Sequence, residues 1–201
     1  MLLRHSHTSP YVRKVMVLLH ETGLIDQVGI ETTDGWSEPE ALTAENPLSM
    51  VPTLVLQNGQ TLFDSPLICE YLDRQHVGRP MIPPTGEMHW RVLRDQALAD
   101  GIMDAAILIF MEGVKRPEDL RWDWWLELKQ RAIERALDLL EQDVEALRDR
   151  VDLGTISVAV ALGYIDLRGA VEDWRRNRPE LTDWHAEFSQ RRSMIATAPP
   201  L

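Results

Sequence analysis

A crowd of chain breakers divides this sequence in two. Gly78, Pro80, Pro83, Pro84 and Gly86 fall within nine residues, a density that interrupts helix and strand alike. The stretch 78–86 therefore reads as a linker between residues 1–77 and 87–201. Before it, strand and helix patterns alternate. Leu2-Leu3 opens a short strand, and Ser9-Pro10 starts a helix with Val12, Val15, Met16 and Leu19 facing inward, stopped at Gly23. Serine suits the cap of that helix, and proline suits its first position because the missing N–H would go unpaired there anyway. Residues 27–32 read as a second strand, and Ser37-Glu38-Pro39-Glu40 has capping-box spacing before a short helix that Asn46-Pro47 breaks. Thr53–Leu56 and Thr61–Phe63 flank Asn58-Gly59 as a hairpin with a two-residue turn of positive φ. Ser65-Pro66 then starts another helix, giving the order β-α-β-α-β-β-α.

Beyond the linker the periodicity is helical throughout. Helices are predicted over 87–112, 118–149 and 155–171, with shorter ones after Pro179. The second carries one apolar stripe through Leu126, Ile133, Leu137, Leu140, Val144 and Leu147. The third is apolar nearly all round, as the central helix of a bundle would be.

Charge excludes several functions. With 21 Lys+Arg and 32 Asp+Glu the net charge is −11, which repels nucleic-acid phosphates and anionic membrane surfaces. The one cysteine, Cys69, allows no intrachain disulfide, and nothing after Met1-Leu2-Leu3 reads as a signal peptide, so a reducing, cytoplasmic setting is expected. His5 and His7 would share a strand face, but no convergent set of metal ligands accompanies them.

Three motifs carry a family resemblance. Thr8-Ser9-Pro10-Tyr11-Val12-Arg13-Lys14-Val15, Asn46-Pro47-Leu48-Ser49-Met50-Val51-Pro52-Thr53-Leu54 and Asp64-Ser65-Pro66-Leu67-Ile68-Cys69-Glu70-Tyr71-Leu72 resemble, in order and spacing, the elements of serine-type glutathione transferases. The resemblance covers the whole chain. It implies an α/β thioredoxin-like N-terminal domain followed by an all-α C-terminal domain, with glutathione as co-substrate.

By that resemblance Ser9 is the catalytic hydroxyl. A free thiol has a pKa near ~8.5, so a hydrogen bond and a helix N-terminus that favour its thiolate make it reactive. The resemblance also implies a cis Val51–Pro52 bond that exposes Val51 to pair with the peptide backbone, and it gives the γ-glutamyl amine to Asp64 and the carboxylate to Ser65. Each residue has a plainer reading. Ser9 and Ser65 suit simple caps, Thr8 is a rival hydroxyl, Pro52 suits a strand start, and Asp64 complements a helix dipole.

The resemblance further implies an electrophile pocket between the domains, with Tyr11, Met103, Ile107 and Phe110 or Met111 as wall candidates. It suggests Asp100 as a residue reaching a partner subunit's glutathione, and a homodimer. The small electrophile could be conjugated or, if a peroxide, reduced; a non-catalytic glutathione-binding relative is the other alternative. Two departures stand out. Met50 replaces the lysine that would help hold the glycyl carboxylate, with Arg13 and Lys14 nearby in sequence, Arg13 suiting a structural salt bridge equally well. In the third C-terminal helix Thr155 is the expected cap and Val158 stands where the family has Asp, leaving half a capping box. The Arg121–Trp125 cluster fits a pocket wall, helix packing or a dimer contact. Ser9 excludes the mixed-disulfide chemistry of cysteine-type relatives.

Overall fold

The structure is a computed structural model that describes residues 1–37 and 39–200. It divides into two compact units, Met1–Gly86 with Arg192–Leu201, and Glu87–Arg191. The final segment thus groups with the first unit, whereas the sequence reading runs the helical domain to residue 201.

The first unit follows the expected order: β1 (Leu2–His5), α1 (Pro10–Thr22), β2 (Gly29–Thr32), α2 (Glu40–Glu45), β3 (Thr53–Val55), β4 (Thr61–Leu62) and α3 (Ser65–Asp73). The strands form one mixed sheet in the order β2-β1-β3-β4, with β1 parallel to β2 and antiparallel to β3. Leu3 and Leu54 pair at its centre, and both are fully buried. The apolar sides of α1 (Val15, Leu18, Leu19) and α3 (Ile68, Cys69, Leu72) are buried as well, so Cys69 is a packing residue.

Two local expectations change. The hairpin turn is closed by Gly59 N–H to the Leu56 carbonyl (3.0 Å) and Leu56 N–H to the Gln60 carbonyl (2.8 Å). Gly59 has φ +83° and Asn58 stays out of the left-handed region. The loop therefore needs one positive φ instead of two, the pattern of a type I turn followed by a left-handed glycine. The short helix α2 starts at Glu40 with Pro39 before it and no side-chain cap. The Ser37 hydroxyl bonds the Asp34 carbonyl (2.9 Å) and is spent there, while Glu38 of the expected capping box lies outside the described residues. The breaker-rich stretch 78–86 lies within the first unit and is tied down by buried Asp73, whose carboxylate accepts the Met81 and Ile82 N–H groups at 2.6 and 2.9 Å. The closing helix of the chain, α8 (Arg192–Ala196), packs on α1, with the Ser193 hydroxyl 2.5 Å from Glu21.

The second unit is helical: α4 (Glu87–Phe110), α5 (Asp123–Gln142), α6 (Leu153–Arg168) and α7 (Pro179–Phe188). The helix expected over 118–149 is shorter. Its start is set at Trp122, whose N–H is held by buried Glu112 (2.9 Å), and it stops before Asp143, which takes Arg91 and Arg94 at 2.6 and 2.8 Å. A π turn over Met111–Lys115 ends α4. Helix α6 is buried on nearly every side and packs chiefly on α4. Its capping box is complete, contrary to the sequence reading. Asp152 is the cap, its carboxylate accepting the Thr155 N–H (3.0 Å), and the Thr155 hydroxyl accepts the Asp152 N–H (3.1 Å). The acid and the hydroxyl have exchanged places, so Thr155 is the third helical residue and Val158 is free to be apolar.

Candidate functional site

The sheet register brings the five candidate residues to one end. β1 runs toward His5, and Arg4 pairs with Thr53, so Val51–Pro52 precedes β3 at the end where β1 finishes. β4 is antiparallel to β3 with Leu62 opposite Leu54, so the chain leaves β4 through Phe63 to Asp64–Ser65 at that same end. Ser9 lies just past β1, in a turn closed by its N–H on the Ser6 carbonyl (3.3 Å).

Ser9 is the cap of α1, as its sequence indicates. Its Oγ accepts the Val12 N–H at 3.3 Å, and its carbonyl accepts the Arg13 N–H at 3.0 Å. The cap uses a lone pair of the hydroxyl. Among the described residues the hydroxyl proton has no acceptor, and the side chain is partly exposed. A hydroxyl so placed can donate to an anion at the helix start.

The Val51–Pro52 peptide bond is cis. Residues that the sequence reading passed over hold this loop. Asn46, buried in the loop after α2, donates from Nδ2 to the Met50 carbonyl (3.1 Å) and to Thr53 Oγ1 (3.0 Å), while its Oδ1 accepts the Leu48 N–H (3.0 Å). Thr53 Oγ1 bonds the same Met50 carbonyl at 2.8 Å. A polar residue followed by Pro47 reads in sequence as a helix stop, so nothing local marks Asn46 as a brace. Gly35 closes on the loop so tightly that a Cβ there would lie 3.0 Å from the Ser49 carbonyl. The Met50 side chain is exposed.

At α3 the cap is Asp64, whose carboxylate accepts the Ser65 N–H; Ser65 is the first helical residue, not the cap. This releases the Ser65 hydroxyl from capping. It is fully buried and has no partner. Buried hydroxyls are nearly always bonded, because an unmet one forfeits its hydration. The same condition recurs nearby: His5 Nδ1 and Ser49 Oγ are also buried without partners, on segments at this end of the sheet. His5 touches His7 edge-on, ring centroids 4.6 Å apart; burial, and then the neighbouring His7, holds it below its ordinary pKa of 6.5. No group of three His, Cys, Asp or Glu among the described residues is disposed to hold a metal.

In the second unit Met103 is fully buried and belongs to the core, whereas Ile107, Phe110 and Met111 are half-exposed. The Trp124 and Trp125 indoles each stack on Trp122, with centroids 5.0 and 6.2 Å from it, and Lys129 caps Trp125 at 4.1 Å. No helix among the described residues is long and apolar enough to cross a membrane.

This thioredoxin-like sheet with a cis proline, followed by a helical unit, is the architecture of glutathione transferases. Residues 8–75 match the model of the glutathione S-transferase N-terminal domain. The chain is 36% identical to the uncharacterized GST-like protein YibF of Escherichia coli K12 over 198 residues, covering 97% of this chain and 96% of that one. A glutathione transferase family member from Pseudomonas fluorescens Pf-5, solved with bound glutathione, has 47% identity and a TM-score of 0.96 over 100% of this chain and 99% of its own. A glutathione S-transferase from Methylobacillus flagellatus KT, also solved with glutathione, has 35% identity and a TM-score of 0.92 over 99% of both chains. The chain belongs to the glutathione transferase family.

Proposed function

We propose that this protein binds glutathione at the described end of the sheet and activates its thiol for attack on a small electrophile. The observation that carries this reading is the Ser65 hydroxyl, fully buried and unpartnered in the first turn of α3. With the N–H groups at that helix start it suits a carboxylate, and Asp64, exposed beside it, suits the amine of the same γ-glutamyl group. Val51, in the loop just before β3, suits backbone pairing with the cysteinyl unit as an added strand would. Ser9 then donates its uncommitted proton to the thiolate sulfur, adding to the positive end of α1. The two similar proteins solved with glutathione support the ligand. A homodimer and a cytoplasmic setting complete the reading.

Calorimetry with glutathione and steady-state assays with halide, epoxide and hydroperoxide substrates test it. Glutathione binding with turnover of a halide or epoxide is expected. Ser9→Ala is expected to retain glutathione but to lower kcat/KM about 10–100-fold, the worth of a hydrogen bond to a charged group, and to raise the bound thiol's pKa by about 1–2 units. An unchanged rate and pH profile would remove Ser9 from the mechanism. Turnover confined to hydroperoxides would make the enzyme a peroxidase, and binding without any turnover would leave a carrier. Sedimentation reads the oligomeric state.

A further inference from the structure

Arg4 and Arg178 are buried, Arg150 is half-buried, and each is paired with acids. Arg4 meets Glu31 and Glu45, Arg150 meets Asp95 and Asp152, and Arg178 meets Glu134 and Asp138. Half-buried Arg13 and Arg168 have no such pair among the described residues; Arg168 instead lies over the Phe110 and Tyr164 rings, with its Nε on the Tyr164 hydroxyl, whereas Arg13 has no ring beneath it. Its Nη2 donates to the Met194 carbonyl (3.2 Å), its Nε is buried and unbonded, and it takes part in no ion pair among the described residues. Burial alone acts on it, pushing the guanidinium below its ordinary value, with no carboxylate restoring it. The shortage is not one of acids, since the chain has 32 Asp+Glu against 21 Lys+Arg. Among the described residues Arg13 does not make the salt bridge that the sequence allowed.

Its place in α1 runs against the helix as well. Helix N-termini favour acids, and α2, α4, α5 and α7 each carry one in the first turn. α1 carries none there, nor do α3, α6 and α8, but α3 and α6 have an aspartate as their cap, whereas α1 is capped by Ser9 and has Arg13 immediately after its first turn, the Arg13 N–H bonded to the Ser9 carbonyl. Helical side chains lean toward the N-terminus, so a residue at this position covers the turn that Ser9 begins. A half-buried charge without a counter-charge is also screened less than a surface pair, so its field reaches further.

We infer that Arg13 is an electrostatic positioning residue, kept unpaired so that its charge adds to the field of the α1 start and favours the thiolate of glutathione at Ser9. This rests on the glutathione site proposed above. Arg13 does not touch the sulfur. It acts through the potential at the helix start, supplying locally the positive charge that a −11 chain lacks overall. Such a residue favours function over stability, and that distinguishes it from a simple tether for α8.

The test compares Arg13→Gln, which keeps an amide donor without the charge, and Arg13→Lys, which keeps the charge. The thiol of bound glutathione is titrated through the ultraviolet absorbance of its thiolate, alongside the melting temperature. The parent is expected to bind glutathione with its thiol pKa below the free value of about 8.5. Arg13→Gln is expected to move that pKa back toward the free value, cutting the thiolate fraction at pH 7 about 5–10-fold, with a melting temperature no lower than the parent's; Arg13→Lys restores most of the thiolate. A Gln variant that titrates like the parent, equal shifts in the Gln and Lys variants, or a Gln variant that melts lower or does not fold would each overturn the inference and leave Arg13 a tether. A parent that fails to bind glutathione would sink the site itself before any variant is compared.

Discussion

The Ser65 hydroxyl gives the site its most direct test. An atom buried without a partner contributes nothing to folding, so its removal should leave stability unchanged or slightly raised. Ser65→Ala is therefore expected to melt at or above the parent's temperature while its KM for glutathione rises about tenfold and kcat is nearly unchanged, the signature of lost ground-state binding. His5 makes the opposite kind of prediction, about pH. It is held neutral by burial and by His7, so its folded pKa lies below the unfolded value of 6.5. As pH falls through 6.5 the unfolded chain takes up a proton that the folded chain resists, and stability declines until the folded pKa is passed. His5→Asn is expected to lose less stability than the parent between pH 7.5 and 5.5, read as urea midpoints at the two pH values. Both residues were visible in the sequence, Ser65 as a cap and His5 as half of a pair. Neither hydrogen-bonding state was, because an unpartnered atom is defined by neighbours from distant segments.

Among the elements, α6 depends most on its first turn. Asp152 caps the helix and also holds Arg150, with Nε–Oδ2 at 2.8 Å, while Asp95 takes the same guanidinium at 3.1 Å. Burial works against the Arg150 charge, and the two acids outweigh it, raising its pKa above the ordinary value. Asp152→Ala removes a cap and half the compensation of a buried cation, so a loss of about 3 kcal/mol in urea unfolding is expected, against about 1 kcal/mol for Thr155→Val. The sequence carried the right residue types, but the resemblance to the family pattern set the register three residues late. Periodicity located α6 because an all-apolar helix is unmistakable, and it overran α5 at both ends because the stops are tertiary. Glu112 holds the start from another segment, and Arg91 and Arg94 draw Asp143 off the end.

Across the whole chain, the grouping of Arg192–Leu201 with the first unit has a consequence for glutathione binding. α8 packs on α1, the helix that carries Ser9, through Ser193–Glu21 and Arg13–Met194. A chain ending at Arg191 is expected to melt several degrees lower, with α1 more readily cleaved by protease and glutathione bound more weakly, as limited proteolysis and calorimetry would read. The sequence reading runs the helical domain through this segment, because no short window says which unit a helix joins.

Local chemistry decided much of this protein. The Ser-Pro helix start at Ser9, the Asn-Gly turn and the apolar run of α6 are each written in neighbouring residues, because caps, turns and periodicity act over a few positions. Their order was enough for the fold and for the family resemblance. Tertiary structure decided what no short window contains. The antiparallel register of β1, β3 and β4 carries Ser9, Val51–Pro52 and Asp64–Ser65 to one end of the sheet. It leaves Ser65 without a partner, braces the cis-proline loop with Asn46, and keeps Arg13 away from acids of the kind that neutralise Arg4, Arg150 and Arg178. Burial and charge compensation are sums over segments distant in sequence, and they exist only once the chain has folded.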